Sequence, residues 1–90
     1  MNYFFTKRDG ANRATLVING KKVGRVHFRA ADAWLNPYNR DTLKSKAELE
    51  KLGMVVELDP QSDTFPIKVY VNTTNESEIA SILSKAFYDQ

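Results

Sequence analysis

Apolar residues alternate with Arg25, His27 and Arg29 in "VGRVHFR", and turn-forming residues punctuate the chain before it. Thr15–Ile18 and Val23–Phe28 flank Asn19-Gly20, a dipeptide suited to the left-handed backbone of a tight hairpin. Upstream, "YFFTKR" predicts a first strand, and "RDGANR" a turn from its Asp9-Gly10 and Asn12.

The hairpin's register can be tested against burial. A plain two-residue turn would put Leu16 and Ile18 on the opposite face from Val26 and Phe28, splitting the apolar set. A three-residue loop ending at Gly20, or a bulge at Gly24, brings Leu16, Val26 and Phe28 together. A bulge is therefore predicted in place of a plain two-residue turn. Val26 and Phe28 then face the core. Arg25, His27 and Arg29 face the other way, with Arg13 as their neighbour across the strands.

Further along, "AADAW" predicts a short helix limited by Pro37, and "LNPYNRD" a loop. "SKAELEKLG" predicts a helix, with Ser45 and Glu48 as a capping box and Gly53 just past its end. Its start lies at Ser45 or as early as Asp41 or Thr42. "MVVELDP" and "PIKVYVN" alternate as strands, and "DPQSDTFP" joins them as a proline-bounded loop. Asn75 and Glu78 cap a last helix from about Glu76 to Tyr88, with Ile79, Ile82, Leu83, Ala86 and Phe87 as its apolar stripe.

The order β-β-β-α-β-β-α predicts an α+β fold in a single domain over 1–90. It has a five-stranded, mainly antiparallel sheet with two main helices packed on one face. The helices should cover Phe28, Val56 and Val69. The opposite face should carry Arg25, His27, Arg29, Val55, Glu57, Lys68 and Tyr70.

Composition narrows the chemistry. The chain has no cysteine, which excludes disulfides, thiolate catalysis and Cys-ligated zinc. No apolar run is long enough for a bilayer, and "MNYFF" is too short for the core of a secretory leader, so no membrane association and a cytoplasmic location are expected. Charge is uneven. Residues 1–46 hold ten Lys/Arg against three Asp, and residues 47–90 hold three Lys against eight acids. Such a split fits either a basic binding face or two halves that neutralise each other on folding.

Enzymatic chemistry lacks its parts. His27 is the one histidine, so neither a metal site nor a triad can be built around it. Asp59 and Asp63 do not follow a calcium-loop pattern, and Pro66 stands where a second nuclease-type acid would precede Lys68. The glycines form no phosphate loop. No enzyme activity, metal or cofactor is expected.

Two binding constellations remain. Trp34, Tyr38 and Arg40 in "WLNPYNR" are the residue types that dominate protein interfaces. They predict a small protein-binding domain, an inhibitor or adaptor of the size of virus- or plasmid-encoded accessory proteins. Its partner is another protein, and a homodimer through an exposed sheet edge is a further expectation. The alternative is a nucleic-acid-binding face built from Arg13, Arg25, His27, Arg29 and Lys68, with Tyr70 and Tyr3 as nearby rings. The same alternation also fits a merely solvated strand.

Overall fold

The computed structural model describes residues 2–8, 10, 12–63 and 66–88. Asp9 and Ala11 of the first predicted turn, and Thr64 and Phe65 of the proline-bounded loop, lie outside the described residues. Six strands form one antiparallel sheet: β1 (Tyr3–Phe5), β2 (Arg13–Ile18), β3 (Lys21–Phe28), β4 (Ala33–Pro37), β5 (Val55–Leu58) and β6 (Ile67–Val71). Their spatial order is β1-β2-β3-β4-β6-β5. Helices α1 (Lys46–Lys51) and α2 (Glu76–Ser84) complete the α+β fold.

The expected five strands are six, because "AADAW" is not a helix. Arg29 N–H donates to the Asp32 carbonyl at 2.9 Å and closes a hairpin, so Ala33 returns opposite Phe28. Alanine's helix propensity is worth only tenths of a kcal/mol per residue against its ordinary competitors. Burying the strand outweighs it: Ala33 and Leu35 are fully buried and Trp34 is 8 % exposed. A strand covered on both faces reads as a continuous apolar run, which conceals its period.

The hairpin at Asn19-Gly20 combines two features that the sequence reading set against each other. Asn19 (φ 50°) and Gly20 (φ 83°) form a two-residue turn in the left-handed region, with Ile18 opposite Lys21 and Val17 opposite Lys22. The predicted bulge then follows inside β3, where Leu16 faces Gly24 and Val23 is the extra residue. The slip restores the apolar face: Ala14, Leu16 and Ile18 join Val23, Val26 and Phe28 in the core. At Gly24 a Cβ would lie 2.6 Å from the Asn36 carbonyl oxygen and 2.6 Å from Leu35 Cδ1. The absence of a side chain there lets β4 pack closely.

Both helix starts follow their caps. Ser45 Oγ accepts from the Glu48 amide at 3.2 Å and donates to its carboxylate at 3.0 Å, and Asn75 Oδ1 accepts from the Glu78 amide at 3.0 Å. Asp41 and Thr42, the alternative starts of the first helix, belong instead to a separate 3-10 turn, Arg40–Thr42, capped by Asn39. Gly53, at φ 91°, follows α1 as a C-terminal glycine should. The last helix stops at Ser84, short of the expected Tyr88, because the chain turns extended. Phe87 bridges to Leu43, and Tyr88 N–H donates to the Thr42 carbonyl at 2.8 Å.

Leu49 of α1 and Ile79, Ala80 and Leu83 of α2 pack with Phe28 and Val69, against which Val56 also lies. The helices therefore cover the expected face. Among the described residues no helix is long and apolar enough to cross a membrane.

Candidate functional site

The uncovered face of the sheet is built from residues that alternate with the core positions. Strand register aligns them in rows. The longest row runs Arg13, His27, Trp34, Tyr70, Val55 across β2, β3, β4, β6 and β5. A second holds Thr15, Arg25 and Asn36, and a third Phe4, Val17 and Lys22. Strands β2, β3 and β4 contribute no acidic residue to either face.

The middle of the long row is a ring stack. The His27 imidazole lies flat on the Trp34 indole, centroids 3.8 Å apart and planes 4° from parallel. Tyr70 follows at 6.3 Å, tilted by 43°. Lys68 Nζ stands 5.0 Å from the Trp34 ring centroid, and the Arg29 guanidinium 5.2 Å from that of Tyr70. Both are within cation–π range. Such contacts place positive charge over the rings without neutralising it.

The electrostatics of His27 reflect this crowding. Burial holds its pKa below the ordinary histidine value, and the charges of Arg13, Arg25 and Lys68 press it further down. Three cations from three strands thus act on one imidazole. The acids nearby are few and engaged. Glu57 lies 3.8 Å from Lys68 Nζ and accepts from the Tyr70 hydroxyl at 3.5 Å. Burial, and then the charge of Glu57, hold the Tyr70 phenol above its usual pKa. Asp32 takes a two-pronged hydrogen bond from Arg29, with Nη2 to Oδ2 at 2.7 Å, which lowers its own pKa. An open cleft of about 610 Å³ separates these pairs, lined by Arg29, Asp32, Val55, Glu57, Tyr70 and Asn72 among others.

The residues singled out in the sequence fall into place as follows. Arg13, Arg25, His27 and Lys68 meet on the uncovered face. Arg29 closes one end of it, tied to Asp32. Trp34 belongs to the same face, stacked beside His27 on the neighbouring strand and apart from the helix-covered core. Tyr38 is 52 % exposed. Its hydroxyl shares a 3.2 Å hydrogen bond with Oγ1 of Thr15, the residue opposite Arg25 in the second row. Arg40 sits beyond, exposed in the 3-10 turn. The link between His27 and Trp34 escaped the sequence reading, because it depends on β4 being a strand. The signal that would have found it is the loop Arg29–Asp32, whose ends fit a hairpin that pairs Phe28 with Ala33. Tyr3 lies on the other side, packed against the core.

No group of three or more His, Cys, Asp or Glu able to hold a metal occurs among the described residues. Compared with protein-family models, curated protein sequences and solved structures, the chain matches none.

Proposed function

We propose that the uncovered sheet face binds single-stranded nucleic acid. The observation that supports this reading is the convergence of Arg13, Arg25 and Lys68 on the His27–Trp34 stack. Phosphates are drawn to clustered cations, and bases stack on exposed rings. In this reading Trp34 is the ring against which His27 is held. The rings left to meet bases are His27, Tyr70 and the half-exposed Tyr38. A twisted sheet presenting rings and cations suits a strand whose bases are splayed out. A duplex is read chiefly by helices entering its groove, and α1, six residues long with Glu48 and Glu50, is poorly made for that.

Fluorescence anisotropy with labelled single-stranded DNA, RNA and duplex DNA tests the proposal. Binding in the micromolar range at low salt is expected for the single strands. Three phosphate contacts give a slope of log affinity against log salt of about −2. The double change Arg13→Glu and Arg25→Glu should weaken binding at least tenfold. The absence of binding at low salt, or binding indifferent to the charge reversal, removes the proposal. An acidic protein surface held through Tyr38 and Arg40 is then the reading to pursue.

A further inference from the structure

The cleft at the β5 end of the uncovered face differs in chemistry from the cationic rows beside it. It lies over the C-terminal end of β6, between β5 and the hairpin that joins β3 to β4. Its volume of about 610 Å³ falls in the range of small-molecule sites, roughly 300–1,000 Å³. Tyr70 and Val55, opposite one another in the β5–β6 register, give it a ring and an apolar flank. Val55 is 63 % exposed, so this flank is open to a ligand.

Two polar groups line it from opposite sides. On β5 stands Glu57, whose ionised carboxylate only accepts hydrogen bonds. Its neighbours hold it loosely. The Tyr70 hydroxyl donates to it at 3.5 Å, and Lys68 Nζ lies 3.8 Å away, both beyond the best hydrogen-bond distances. A carboxylate has about four lone-pair sites, so Glu57 retains the capacity for a two-pronged partner. On the other side is Arg29. Its Nε and Nη2 are spent on Asp32, which fixes the guanidinium. Nη1 takes no part in that pair.

A nucleobase suited to these two groups offers adjacent donors to the carboxylate and acceptors to the guanidinium. Guanine alone does both: N1–H and the 2-amino group lie side by side, and O6 and N7 accept on the next edge. Adenine, cytosine and thymine have no two adjacent donors, so a carboxylate set against them meets a lone pair. We propose that this cleft takes a guanine base, with N1–H and the 2-amino group on Glu57, O6 toward Arg29 and the ring against Tyr70. Stacking on a tyrosine ring is open to any base, and Glu57 makes the choice among them. For a base within a strand the proposal rests on the reading of the face given above. A free guanine nucleotide carries the same chemistry.

Competition for a labelled oligothymidylate tests it, using unlabelled strands with a single guanine, adenine, cytosine or hypoxanthine among thymines. The guanine strand should compete about fivefold or more better than the all-thymine strand, the low end for one bidentate base contact. Adenine and cytosine should give no such gain, and hypoxanthine, which lacks the 2-amino group, should lose most of it. In Glu57→Gln the guanine and all-thymine strands should compete alike. Guanosine monophosphate, followed by amide NMR, reads the cleft without a strand: Val55, Tyr70 and Asn72 should shift, and adenosine monophosphate should leave them in place. Strands that all bind alike, or a guanine gain that survives Glu57→Gln, overturn the inference and leave the reading of the face standing. If no strand binds, that reading falls. The guanine assignment falls with it unless guanosine monophosphate alone moves those amides, which makes the free nucleotide the ligand.

Discussion

His27 is an imidazole under pressure from two directions: burial takes away water, and three cations oppose its protonation. Its pKa is lower in the folded chain than in the unfolded one. Protons are therefore bound more readily by the unfolded state between the folded value and about 6.5. Stability attributable to His27 is full above pH 6.5 and declines as pH falls through that window. His27→Gln should flatten the stability profile just below pH 6.5, measured by urea unfolding at stepped pH. The lowered carboxylates, Asp32 and Glu48, act below their ordinary values near 4 and leave this window clear. Bound polyanion reverses the pressure on His27. Under the proposed function, affinity should rise as pH falls toward 5.5, and His27→Gln should abolish that rise. The basic row Arg25, His27, Arg29 was readable from period-two alternation. The indole stacked on His27 was not, since a contact between strands exists only once the strands are identified.

Among the elements, β3 carries the most information. Its bulge reconciles a turn chosen by Asn19-Gly20 with an apolar face chosen by Leu16, Val26 and Phe28. Local turn chemistry and global burial disagreed by one residue, and Val23 absorbs the difference. The sequence showed that conflict and so the bulge, but it left the place of the slip open between the turn and Gly24. Gly24→Ala should destabilise the domain by about 1–3 kcal/mol, the usual range for overpacking a tight site. The Cβ would press on the β4 backbone at the Asn36 carbonyl, which cannot swing aside as a side-chain tip can. Chemical denaturation of the variant measures this. The caps at Ser45 and Asn75 were legible because capping is local. Strand β4 was not, because its identity lies in what covers it.

Across the whole molecule the uneven charge of the sequence becomes an uneven distribution over two sides. The first half of the chain supplies β2, β3 and β4, and with them Arg13, Lys22 and Arg25 of the uncovered face. The second half supplies α2 and the greater part of the acids, among them Glu76 and Glu78. Arg8 and Glu76, 3.0 Å apart, join the two halves on the helix side. Both are largely exposed, and such pairs contribute at most about 1 kcal/mol. Among the described residues this pair lies on the helix side, while Arg13, Lys22 and Arg25 share the other face of the sheet with Glu57. Sequence order decided this separation, yet only the sheet order makes it visible.

The stack of His27 on Trp34 has one more consequence. Trp34 is the only tryptophan of the chain, so all indole emission comes from the centre of the uncovered face. Protonating His27 puts a positive charge against that ring, at a centroid distance of 3.8 Å. The emission of the unlabelled protein should therefore shift along a titration curve with a midpoint below 6.5, and His27→Gln should erase the curve. Any anion settling on Arg13, Arg25 and Lys68 should move the midpoint upward. The protein carries its own optical gauge of occupancy, readable in a cuvette before any partner is labelled.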